Sequence, residues 1–180
     1  MAREPNKKTE TLSIRLDPKT RFILEYLSRL KGQTITTVVE RAIVSAASQS
    51  PIPREYEDPI TWHDLWDVSE GVRALNIAAV PETYPTYDEE RRLVFAREHW
   101  PFFYSDENYK YPLNYYVDTL WPRVDEFIRI HDESRQSNYF AAGEAMQQAL
   151  SAARIEPPAW PQPKRVVEKT KPLSDDDIPF

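Results

Sequence analysis

The chain changes its hydrophobic period within its first fifty residues. Residues 11–16, Thr-Leu-Ser-Ile-Arg-Leu, alternate strictly between polar and apolar. A strand sends successive side chains to opposite faces, so Leu12, Ile14 and Leu16 share one face and Thr11, Ser13 and Arg15 the other. The spacing then becomes helical: Phe22, Ile23, Tyr26, Leu27 and Leu30 form one apolar stripe. Asp17-Pro18 supplies an N-cap and a first-turn proline, and Gly32 a stop. Thr34 is placed to cap a second helix, on which Ile35, Val38, Val39, Ala42, Ile43 and Ala46 line one side. Thr37 stands where a capping box would place Glu or Gln. The expectation for residues 1–50 is one short strand followed by two amphipathic helices.

A unit this small cannot bury a sufficient core alone. Two copies solve the problem if their strands pair antiparallel and their helices interlock. The resulting two-stranded ribbon lays one face on the shared core and presents Thr11, Ser13 and Arg15 twice on the other. A ribbon of that width fits the major groove of duplex DNA.

Beyond residue 50 the pattern loosens. Residues 51–59 carry Pro51, Pro53 and Pro59 and read as a linker. Residues 60–153 read as a small helical domain. One helix is expected to start near Thr61 and to carry Trp62, Leu65, Trp66, Val68 and Val72. A second is expected from Tyr87 to Trp100, a third from Leu113 to Asp132 with a kink or restart at Pro122, and a last one from Ser137 to Ala153. Residues 154–180 are proline-rich and end in acids, so a disordered tail is expected there. The fold class that follows is mainly α, with a ribbon module, a helical domain and a tail.

Charge sharpens this division. The net charge is −6, yet residues 1–50 hold nine Lys/Arg against five Asp/Glu, and the remainder hold fourteen against twenty-four. A basic head on an acidic body places any nucleic-acid contact at the N-terminus, where Lys7 and Lys8 precede the ribbon and are positioned to touch flanking phosphates. The chain has no cysteine, which excludes disulfides and thiolate metal sites and suits a reducing cytoplasm. No apolar run approaches membrane-spanning length.

Catalytic chemistry is hard to find. With three glycines there is no phosphate loop, and there is no nucleophile elbow. His63, His99 and His131 are isolated in sequence and lack metal-ligand spacing; Glu98/His99 and His131/Asp132 are adjacent pairs, which a helix points in different directions. The expectation is a non-enzyme with no cofactor and no metal. The aromatic run Trp100, Phe102, Phe103, Tyr104, Tyr109, Tyr111, Tyr115, Tyr116 and Trp121 suits a packed core or protein interface better than base stacking, because its surroundings are acidic.

Two stretches resemble known families. Residues 10–46, with Leu-Ser-Ile-Arg-Leu-Asp-Pro, the Lys31-Gly32 turn and Thr34-Ile35-Thr36-Thr37-Val38-Val39-Glu40-Arg41-Ala42-Ile43, resemble the ribbon-helix-helix family of Arc/MetJ-type DNA-binding proteins. The resemblance implies an intertwined homodimer in which Thr11, Ser13 and Arg15 read bases and Thr34, Ile35 and Thr36 clamp a phosphate. The last six residues, Asp175-Asp176-Asp177-Ile178-Pro179-Phe180, resemble the C-terminal tip of bacterial single-stranded DNA-binding proteins. That resemblance implies docking onto host replication and repair proteins, with the Phe180 side chain in a pocket, its carboxylate on a rim arginine and the three aspartates on a basic ridge. Residues 60–153 resemble no family.

Together these features lead to the expectation of a cytoplasmic, nucleoid-associated protein of a plasmid, phage or other mobile element. It would bind a specific duplex site and recruit tip-binding host proteins there. A transcriptional repressor or antitoxin, and a decoy that sequesters tip-binding proteins, are the alternatives. An acidic tip that folds back on the basic ribbon is a further one.

Overall fold

The computed structural model describes residues 11–162, which are mainly helical and contain no sheet. The chain divides into two compact units, Met1–Asp64 and Leu65–Phe180. Among the described residues no helix is long and apolar enough to cross a membrane.

In the first unit, helix α1 spans Pro18–Lys31 and α2 spans Ile35–Ser48, and the two pack on each other. Their ends follow from local chemistry. The Asp17 carboxylate accepts hydrogen bonds from the amides of Lys19 (2.9 Å) and Thr20 (3.0 Å) and from the Thr20 hydroxyl. These bonds, the Thr20 hydroxyl foremost, hold the carboxyl below its usual range. Gly32 adopts φ 58°, the left-handed conformation that glycine takes without Cβ strain; its amide donates to Arg29 O, and the next amide donates to Ser28 O. Thr34 caps α2 by accepting from the Thr37 amide at 3.2 Å. Its hydroxyl also bonds the Thr37 hydroxyl at 2.9 Å, so threonine fills the place of the missing capping-box glutamate.

The strand expected at residues 11–16 does not form in the single chain. The reason is geometric: a strand exists by its ladder, and among the described residues of its unit this segment has no neighbouring strand to pair with. The linker expected at 51–59 is closed into a loop by a bridge, with Ile52 and Ile60 exchanging amide–carbonyl bonds of 2.8 and 2.9 Å. A single helical turn, α3 (Trp62–Leu65), follows. Asp64 holds its start by accepting from the amide and hydroxyl of Thr61, both at 2.7 Å.

The second unit contains α4 (Glu70–Ala78), α5 (Tyr87–Glu98), α6 (Asn114–Leu120), α7 (Val124–Ser134) and α8 (Ala141–Ala152). They pack in a closed circuit: α4 on α5, α5 on α7, α7 on α8, α8 on α6, and α6 back on α4. Phe102, Phe103, Phe127, Leu75, Leu120, Met146 and Leu150 fill its centre and are fully buried. The helix expected from Thr61 through Val72 is broken at 66–69. Asp67 accepts from the Ser69 amide (2.7 Å) and from the Asn114 side chain (2.9 Å), and Ser69 then caps α4 by accepting from the Val72 amide. The chain restarts at Pro122 as expected, through one 3-10 turn at Trp121–Arg123. Gly71 is required by close approach, since a Cβ there would lie 2.5 Å from Val117 Cγ1.

The proline-rich stretch stays on the domain longer than its composition suggests. The Tyr116 hydroxyl donates to Glu156 O at 2.6 Å, the Gln147 amide to Pro158 O at 2.8 Å, and the Trp160 indole to Phe140 O at 3.2 Å. Ile155 and Trp160 pack against the core. Proline forbids helix here but does not forbid side-chain docking, and Gly143 leaves room for the Trp160 ring, which a Cβ would meet at 2.0 Å.

Candidate functional site

The surface of the first unit carries the residues singled out by the ribbon pattern. Thr11, Ser13 and Arg15 are exposed, as are Thr34, Ile35 and Thr36. Thr34 spends its side-chain oxygen on the Thr37 amide. The amides of Ile35 and Thr36 are therefore the first-turn donors that a helix leaves without an acceptor. Lys7, Lys8 and the tip Asp175, Asp176, Asp177, Ile178, Pro179 and Phe180 lie outside the described residues.

The apolar stripes of this unit are not covered. Helix α1 buries no residue, and α2 buries Val38 alone. Leu12 is 77% exposed, Phe22 67% and Ile43 58%, and Ile14, Leu16, Ile23, Tyr26 and Leu30 are exposed with them. Ile14, Leu16, Leu24 and Ile35 line a shallow cleft edged by Arg21 and Glu25. Exposed apolar side chains gathered along one stripe are the kind of surface that a partner covers.

The second unit holds a group that sequence spacing missed. His99 follows the last residue of α5 and curls back, so that its Nδ1 lies 3.1 Å from Phe95 O. A carbonyl only accepts, so Nδ1 carries the proton and Nε2 presents a lone pair. Nε2 is buried and has no partner, and His99 is 0% exposed. His131, on α7, meets it edge-on with ring centroids 5.1 Å apart. His131 Nε2 lies 3.5 Å from Glu98 Oε2, while its Nδ1 is buried without a partner. Phe95 stacks on His99 at 4.3 Å, Trp160 stacks on it at 5.2 Å, and Tyr139 lies edge-on to His131 at 5.4 Å. Burial lowers the His99 pKa to about 4; the Phe95 carbonyl opposes the shift and His131 adds to it.

These histidines are neither isolated nor directed apart, which corrects the expectation from spacing. His99 has left the helix, so the helical wheel does not govern its direction, and the circuit of helices brings α7 beside α5. One signal was available in the sequence. His131 falls at i+7 on the stripe Val124, Phe127, Ile128, His131, all buried.

The aromatic run divides. Phe102, Phe103, Tyr104 and Tyr116 are core, whereas Tyr111 and Tyr115 are exposed. Burial raises the Tyr104 hydroxyl to about 12. Two arginine–aspartate pairs tie α5 to α7: Arg91 to Asp132, and Arg92 to Asp125 through two bonds of 2.9 and 2.8 Å. No family model, curated protein or solved structure matches the chain.

Proposed function

We propose that the chain is a homodimeric, sequence-specific duplex-DNA-binding protein whose first unit is a ribbon-helix-helix head. The observation that carries the reading is the uncovered apolar face of Leu12, Ile14, Leu16, Phe22, Ile23, Tyr26 and Leu30 beside two well-capped helices. Such a face needs a cover of the same shape, and a second copy supplies one by pairing residues 11–16 and interlocking α1 and α2. Pairing turns Thr11, Ser13 and Arg15 outward together, where arginine suits guanine and Thr and Ser suit several base edges. The amides at the start of α2 suit a phosphate.

The C-terminal tip adds recruitment. Its six residues have the acids, the rigid proline and the terminal phenylalanine of a peptide that docks by charge and one apolar pocket. Two tips on one DNA-bound dimer raise a weak affinity by avidity. The proposed role is to bring host replication or repair proteins to a chosen duplex site of a mobile element.

Sedimentation equilibrium tests the head, and the expected result is a dimer that Leu16→Asp converts to monomer; a monomeric wild-type chain overturns the reading. Affinity capture from bacterial lysate with and without Phe180 tests the tip. Loss of partners on deleting Phe180 is expected, and identical partner sets contradict recruitment.

A further inference from the structure

We infer that Glu98, His99 and His131 form a binding site for a divalent first-row transition metal, with Zn²⁺ as the fitting ion. One donor atom from each of the three residues lies within 4.8 Å of the others. The second unit alone provides all three, so the inference stands apart from the reading of the head.

The tautomers carry the argument. The Phe95 carbonyl fixes the proton of His99 on Nδ1 and leaves the Nε2 lone pair buried with nothing to bond. A metal-ligating histidine has this arrangement, with its far nitrogen held by a backbone carbonyl. His131 has the complementary problem. If Nε2–H points to Glu98, the Nδ1 lone pair is stranded; if the proton sits on Nδ1, a buried N–H is stranded. Leaving two buried imidazole nitrogens unpaired is costly, and nothing in the surrounding rings of Phe95, Tyr139 and Trp160 offers them a strong acceptor or donor. A cation bound through His99 Nε2 and His131 Nε2, the nitrogen beside Glu98, satisfies the first of these and leaves the His131 proton on Nδ1.

Glu98 completes the set. Its carboxylate balances charge and its side chain is exposed, which gives the ion a route from solvent and leaves a coordination position open to water. Two imidazoles and one carboxylate select Zn²⁺ or a neighbouring transition ion over Mg²⁺ and Ca²⁺, which take oxygen ligands. Bonds of about 2.1 Å bring tetrahedral ligand atoms to roughly 3.5 Å from one another. Rotation of the exposed Glu98 side chain and a slight inward shift of His131 cover the difference. The bound ion pins the end of α5 to α7.

Equilibrium dialysis of the chelator-stripped full chain against ZnCl₂, with thermal melts in parallel, tests the site. One Zn²⁺ retained per chain is expected, together with a rise in melting temperature that EDTA reverses. Glu98→Gln, at an exposed position and nearly isosteric, is expected to weaken binding tenfold or more, and His131→Gln to abolish it. His63→Ala, remote in sequence from the three ligands, is expected to leave stoichiometry and affinity unchanged. Retention of no Zn²⁺ by the wild-type chain overturns the inference, and so does binding that survives Glu98→Gln unchanged.

Discussion

Helix α1 has fourteen residues and buries none of them, whereas α7 has eleven and buries four. Both are amphipathic, and both begin and end with ordinary chemistry. The difference lies in what covers the apolar stripe. In the second unit a circuit of five helices closes on itself, so each stripe meets another and Phe102, Phe127 and Met146 lose all contact with solvent. In the first unit α1 and α2 pack on each other, and most of the stripe remains exposed among the described residues. Local helix signals therefore say where a helix forms, while self-sufficiency depends on how many stripes the unit can bring together. The second unit has enough; the first leaves its stripe exposed, which is why we propose that a second copy covers it.

Changes that separate the two units sharpen this comparison. The first change acts on the head. Ile14→Lys puts a charge into the face that we propose a second copy covers, and should lower dimer and duplex affinity by roughly a hundredfold or more while leaving the melting of the second unit in place. Analytical ultracentrifugation with two-wavelength melting separates the two effects. The reverse case is Phe127→Ala. Truncating a fully buried ring should destabilise the second unit by about 3–5 kcal/mol and leave the head's dimerisation constant unchanged, as read by denaturant titration.

Acid should also act on the second unit. The folded-state pKa of His99 is depressed to about 4 from 6.5, so the folded state binds fewer protons than the unfolded one between these values. Its neutral form favours folding fully above pH 6.5, and that contribution is lost as pH falls toward 4. In chelator, with Glu98 and His131 still facing it, the loss should amount to about 3 kcal/mol, and His99→Gln should flatten the profile. Gly143→Ala should displace the Trp160 ring and cost about 1–3 kcal/mol, visible as a shift in tryptophan emission together with a lower denaturant midpoint. The smallest effect is expected for Arg92→Gln. It breaks a pair between half-buried Arg92 and exposed Asp125, and should cost about 0.5 kcal/mol, diminishing with salt.

Features set by neighbouring residues were legible in the sequence. Asp17-Pro18, Gly32 and Thr34 mark helix ends because caps are made within three or four residues, and the structure places those ends where the residues indicate. Features set across the fold were not. The break at 66–69 depends on Asn114 reaching Asp67 from 47 positions away, and the docking of Trp160 depends on a glycine in α8. The histidine pair shows both sides of this. His131 could be placed on a buried stripe by periodicity, but His99 leaves its helix, and no spacing rule brings residues 99 and 131 together. Residues 11–16 are a further case: their alternation predicts a strand, and no strand forms there in the single chain.

We propose that the head reads duplex DNA as a dimer through residues 11–15. In vitro selection from a random duplex pool, run with the wild-type chain and with Arg15→Ala, tests it most directly. The account predicts that the wild type enriches a two-fold symmetric site and that Arg15→Ala, still dimeric, loses or changes that site. Failure of the wild type to enrich any site, or an identical site recovered with Arg15→Ala, would contradict it.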